Sequence, residues 1–134
     1  MHMRAVRPYV SALVAIYFSQ TADQALRVAA SHTVLTSLDP WMVTLREAGH
    51  LRRGLTTEHF VQAIVAALFS VSLDWCRGLV SDEDFIFRKL EALLLYAAGA
   101  TRGAGQKEIA SHLTDLLGPR RLYQALAAEV VGAA

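Results

Sequence analysis

Apolar and polar positions along this chain recur with the spacing of a helix, and no run alternates with the period of two that marks a strand. The densest pattern lies between Thr56 and Arg102. Thr57 to Arg77 predicts one long helix, with Thr as its cap and Glu58 in the first turn, where the helix dipole favours an acid. Within it Ile64, Leu68, Val71 and Trp75 form a ridge of large residues. Ala63, Ala66, Ala67 and Ser70 form a small-residue surface beside it, on which another helix can approach closely. Gly78-Leu79-Val80 reads as a turn, and Ser81-Asp82-Glu83-Asp84 as the start of a second helix running to about Ala100. There Ile86, Leu90, Leu93 and Ala97 form the predicted inward ridge, and Asp84, Arg88 and Glu91 a wet stripe. The stripe ends at Glu91, and Ala92 to Ala100 is apolar on every side. A helix apolar all round is covered all round, and in a chain this short a symmetry mate is the expected cover.

The remaining segments are helical too. Arg7 to Ser31 carries Tyr9, Leu13, Ile16, Tyr17 and Gln20 on one face, then Leu26, Ala29 and Ala30, with a break expected near Ser19–Thr21. Thr21 with Gln24 three residues on is a capping pattern. Thr33 to Leu38 is ambiguous. Asp39-Pro40 predicts a boundary, with Asp39 as N-cap and Pro40 at the first helical position. The next helix is expected from Trp41 to about Arg52, stopped by Gly54. Gln106 to Leu117, broken by Gly118-Pro119, and Arg120 to Val131 complete the reading. The expectation is one all-α domain over residues 1–134. It has six or seven helices in an antiparallel bundle, and a long hairpin forms a four-helix dimer interface.

Composition sharpens this picture. Of the 134 residues 54% are hydrophobic, which becomes about 57% when the eight glycines are counted and the four tyrosines are not, high against the ~45–50% of ordinary soluble domains on that count, so a partner surface or a membrane could absorb the surplus. The longest weakly charged run, Phe60 to Leu73, holds Gln62, Ser70 and Ser72 and falls short of the ~20 residues a span needs. No signal-peptide pattern stands out at the start. The expectation is a cytoplasmic protein with no membrane partner. A net charge of +1 gives no bulk attraction for nucleic acid or anionic lipid. The single cysteine, Cys76, excludes an internal disulfide and a cysteine-rich zinc site.

The run Leu45-Arg46-Glu47-Ala48-Gly49-His50-Leu51-Arg52-Arg53-Gly54-Leu55, the helix ending Asp74-Trp75-Cys76-Arg77-Gly78, and the Leu-rich helix after Ser81 together resemble the C-terminal domain of TetR-family (tetracycline-repressor-like) regulators. The likeness covers about residues 39–102 and is fainter before them; residues 103–134 extend past the usual family end. It implies dimerisation through the last two long helices and a small apolar ligand held between the earlier ones. The family's N-terminal helix-turn-helix pattern is not found in these residues. The nearest imitation, Lys107-Glu108-Ile109-Ala110-Ser111-His112-Leu113-Thr114-Asp115-Leu116, fails at its turn. DNA contact is therefore expected only through a helix-turn-helix domain outside this sequence.

On this reading the homodimer interface comprises Ile64, Ala67, Leu68, Val71, Leu90, Leu93, Leu94 and Ala97. Pockets in helical bundles lie between helices and combine apolar walls with a few polar groups. The candidate walls are Tyr17, Trp41, Met42, Leu45, Phe69 and Trp75, and the candidate polar anchors are Gln20, His32 and Gln62. For each wall residue plain core filling is the alternative, since a rotation by one position replaces half the set. No catalytic constellation, metal site or cofactor motif is expected. Glu47 and His50 have the Glu-x-x-His spacing of di-iron bundles, but it occurs once, and Glu108 to His112 is one residue too long. Cys76 beside Arg77 reads as a packed thiol. Two other readings remain open: a stand-alone antirepressor that pairs through the hairpin, and a helical-bundle enzyme or metal protein.

Overall fold

The computed structural model describes residues 3–21 and 24–118. It is all-α. The described residues form five helices: α1 (Met3–Phe18), α2 (Gln24–Glu47), α3 (Thr57–Cys76), α4 (Asp82–Ala100) and α5 (Gly103–Leu117). They contain no strand, only one isolated antiparallel bridge between Leu51 and Thr101. The expected helix from Arg120 to Val131 lies outside the described residues.

The hairpin forms as its sequence predicts, and its ends show why. Thr56 accepts from the His59 N–H at 3.2 Å, and Ser81 accepts from the Asp84 N–H at 3.0 Å while donating to the Asp84 carboxylate at 2.9 Å. Each cap satisfies an amide that the first helical turn leaves unpaired. Between the helices Gly78 takes φ +77°, with its N–H on the Trp75 carbonyl and the Leu79 N–H on the Asp74 carbonyl. This doubly bonded ending needs a left-handed residue, which glycine supplies without a Cβ clash.

α3 is the centre of the bundle and packs on α1, α2 and α4. Phe60, Val61, Ile64, Val65, Phe69, Ser72 and Trp75 are its buried residues, a single stripe at helical spacing. They join Val14 of α1, Met42 and Leu45 of α2, Ala97 and Ala100 of α4 and Ile109 of α5 in the core. Each large buried side chain contributes roughly 1.5–3 kcal/mol. α3 is also long and apolar enough to cross a membrane by length and composition, with a mean hydropathy of 1.4. A helix at the centre of a bundle core has the same length and composition, so this property alone does not mark a membrane span.

Three local expectations are overturned. The predicted boundary at Asp39-Pro40 does not exist, since α2 runs through it to Glu47. Positions 35–37 and 39–40 are exposed, and a proline inside a helix is least costly where the interrupted backbone meets water. The helix expected to reach Arg52 ends at Glu47 instead. Gly49 takes φ +69° with the His50 N–H on the Leu45 carbonyl, so it, and not Gly54, makes the stop. The chain then pairs back on the end of α4: Arg52 N–H donates to Ala100 and Arg102 N–H to His50. Finally, Ile86 is exposed, and Phe85 and Phe87 are buried in its place.

Candidate functional site

Three clefts open between the helices, and the outer face of the hairpin carries a strip of unpartnered apolar side chains. The first cleft, about 320 Å³, lies between the end of α1, the start of α2 and α3. It brings together Tyr17, His32 and Gln62, three of the expected ligand residues, with Val61 and Val65 as floor. Tyr17 is fixed by stacking on Phe69, ring centroids 4.2 Å apart and planes nearly parallel.

The second cleft, about 380 Å³, adjoins it along α1 and α3. Its walls are Val10, Leu13 and Ile16 of α1, Leu26, Ala29 and Val34 of α2, and Leu68 and Phe69 of α3. Among the described residues Ser72 and Lys89 are its polar lining groups, and the Ser72 hydroxyl already donates to the Leu68 carbonyl at 2.8 Å. The third cleft, about 570 Å³, lies between α2, α4 and α5. Trp41 and Leu45 line it with Leu93, Leu94 and Ile109, and His50, Glu108 and His112 face it. Among the described residues no three His, Cys, Asp or Glu side chains are placed to hold a metal ion.

The expected pocket residues are thus divided. Tyr17, His32 and Gln62 share one cleft, Phe69 lines the second, and Trp41 and Leu45 line the third. Met42 and Trp75 line none of these clefts; both are completely buried. Gln20 is exposed in the connection after α1. Trp75 instead organises the elbow of the hairpin. Its ring stacks on Phe85 at 4.2 Å, its Nε1–H donates to the Asp82 carboxylate at 2.8 Å, and the Arg7 guanidinium lies 5.2 Å from the ring centre while donating to the Trp75 carbonyl. Cys76, half-buried beside it, accepts from the Ser11 hydroxyl at 3.2 Å, which makes it a packed thiol.

Lys89 is the residue that sequence reasoning missed. It is half-buried, with Nζ 4.5 Å from the centre of the Phe85 ring. Burial pushes its ammonium below the usual lysine range, and the nearby Cys76 opposes that shift. A signal was present: Lys89 sits one position off the wet stripe of Asp84, Arg88 and Glu91, and four residues after the buried Phe85.

The outer face of the hairpin is formed by two shallow grooves. One is lined by His59, Ala63, Leu95, Tyr96 and Gly99, the other by Val71, Asp74, Leu79, Arg88, Ala92 and Leu95. Leu95 borders both, so the strip is continuous. Leu79 is 73% exposed, Leu95 52% and Tyr96 43%. Of the eight expected interface residues, Val71 lines this face and Ala67 lies between it and Ala63 at helical spacing. Ile64 and Ala97 are buried within this chain. Leu68 lines the second cleft, Leu93 and Leu94 the third, and Leu90 is half-buried. Periodicity gives a stripe but not the side from which a neighbouring helix approaches. No protein-family model, curated protein or solved structure matches this chain.

Proposed function

We propose that this chain is a ligand-binding and dimerisation domain of the TetR-like kind: a cytoplasmic, non-enzymatic module that pairs with a second copy through the α3–α4 hairpin and senses a small, mainly apolar molecule. The observation that carries the reading is the two-sidedness of the hairpin. Its inner face closes the subunit core and borders apolar clefts. Its outer face exposes Leu79, Leu95 and Tyr96 in one strip with small residues between them. A face of this kind suits a twofold contact, in which the same patch serves both subunits and small residues let helices approach. His59, Asp74, Arg88 and Glu91 lie along its grooves and supply the polar rim common to interfaces.

The test is sedimentation at micromolar concentration together with a thermal-shift panel. A dimer of about twice 14.7 kDa and a saturable rise in melting temperature with some apolar compounds support the reading. A monomer that responds to none of a broad hydrophobic panel overturns it. Regulatory DNA contact would belong to a separate helix-turn-helix domain. This chain alone should bind DNA weakly and lose that binding as salt rises.

A further inference from the structure

The second cleft has an unusual chemical make-up. Among the described residues its walls are aliphatic side chains and one phenylalanine, and the cation Lys89 stands at its α4 end. The chain has only two lysines. Lys107 is exposed on α5, whereas Lys89 lies half-buried against Phe85. Among the described residues no carboxylate pairs with it; the ion pair on this helix joins its neighbour Arg88 to Glu91 at 3.0 Å. The other polar wall group, the Ser72 hydroxyl, is occupied by the Leu68 carbonyl. The site therefore offers, at one end of an apolar cleft, an ammonium that rests on the Phe85 ring and has no carboxylate partner among the described residues.

We propose that the cleft between α1, α2, α3 and α4 receives a slim aliphatic monocarboxylate, its carboxylate on the Lys89 ammonium and its chain among Val10, Leu13, Leu68 and Phe69. The inference rests on the ligand-receptor reading above and narrows it to a ligand class. Charge complementarity selects an anion: a neutral ligand leaves the half-desolvated ammonium unpaired, and a cationic one is repelled. Size selects a slender ligand. About 380 Å³ accommodates roughly a dozen groups of water size at ~30 Å³ each, which corresponds to a carboxylate with about eight to ten carbons. The same electrostatics explain why burial has already weakened the ammonium's hold on its proton. A carboxylate seated beside it reverses that effect.

The experiment uses the full chain carrying Trp41→Phe, so that emission reports Trp75, which stacks on the Phe85 ring beneath Lys89. Decanoate, 1-decanol and decylamine are titrated below their aggregation limits, with melting temperature as a second readout. Decanoate is expected to saturate and to bind at least about tenfold more tightly than decanol, the size of one charge-assisted hydrogen bond. Lys89→Met keeps the aliphatic stem and should abolish that preference, while Lys89→Arg should restore most of it. Leu13→Trp, which fills the rim of the channel, should weaken decanoate and decanol together. If decanol matches decanoate in the wild type, or Lys89→Met binds decanoate unchanged, the carboxylate assignment is overturned while the receptor reading stands. If no chain-bearing compound binds and the broad panel also gives nothing, both fall. Should Lys89→Met fail to fold, the wild-type preference of carboxylate over alcohol decides alone.

Discussion

The hairpin α3–α4 and the arm α1–α2 are built from similarly apolar residues, yet they hold them differently. Both hairpin helices start on a capping hydroxyl, and each has an acid in its first turn. The elbow between them is closed by Gly78 and by Trp75, which is fully enclosed. Among the described residues neither α1 nor α2 shows an acid in its first turn, and each carries an internal proline, Pro8 and Pro40. The arm also leaves Tyr9, Leu13, Phe18, Leu26 and Val28 exposed. Local signals thus specify the hairpin, whereas the arm is held chiefly by what it packs against. Clefts open along the arm because its apolar side chains only partly meet α3. On the proposed ligand-receptor reading, that contrast would place ligand access along the arm.

The largest expected effect tests the rigid side. Trp75→Ala removes the stacking on Phe85, the bond to Asp82 and the platform under Arg7. It should cost about 3–5 kcal/mol in denaturant unfolding. Tyr9→Ala, on the arm at 74% exposure, should change stability by no more than about 0.5 kcal/mol. Equal losses at the two sites would erase the distinction between the regions.

The next effect separates the two faces of the hairpin. Leu94 lines the cleft between α2, α4 and α5, and Leu95 lies on the outer strip. Leu94→Arg places a charge among apolar walls and should cost about 1–3 kcal/mol of fold stability. Leu95→Arg should leave circular dichroism intact and yield a monomer by sedimentation. A dimer that survives Leu95→Arg would move the interface elsewhere.

These neighbours also show how much was legible beforehand. Thr56, Ser81 and Gly78 act within a few residues of themselves, so sequence alone located both caps and the turn. The break after Phe18 was legible for the same reason. Asp39-Pro40 carried an equally strong local signal, and α2 passed through it, because tertiary packing of Met42 and Leu45 into the core outweighs one interrupted bond. The stop at Gly49 was hidden, since the segment after it is fixed by pairing with Ala100, Thr101 and Arg102, about fifty positions away. The site suffered most. Tyr17, His32 and Gln62 do converge, but Trp75 and Met42 face inward, and Lys89, one position off the wet stripe, was given no role. Facing depends on which side a partner helix arrives from, and no local pattern encodes that.

A smaller effect probes the caps that distinguish the hairpin. Ser81→Ala removes an acceptor from the Asp84 N–H and a donor to its carboxylate. It should cost about 1 kcal/mol, measured by urea unfolding with an unchanged m-value. An equal loss from Ser19→Ala, in the connection after α1, would show that the arm depends on local bonding as much as the hairpin does.

The smallest effect is a dependence on pH, and its sign follows from the start of α3. Glu58 is held below the usual carboxylate range, first by a hydrogen bond from its own backbone amide and then by the Thr56 side chain; desolvation opposes them, and Arg46 and His59 add smaller attractions. A carboxyl whose pKa is lower in the folded state binds its proton more readily once the chain unfolds. Its contribution to stability is therefore fully present above the unfolded pKa and fades as the pH falls through the folded one. The hairpin should lose this increment as the pH falls below the ordinary glutamate value of about 4.3. Glu58→Gln removes the titration, so the stability of the variant should fall less steeply across that window than the wild type's, with the two curves converging at the acid end. Because the carboxylate is exposed, salt should shrink the difference. Parallel curves for the two proteins from pH 3 to pH 6 would mean that the charge at this cap does not contribute to the firmness of the hairpin.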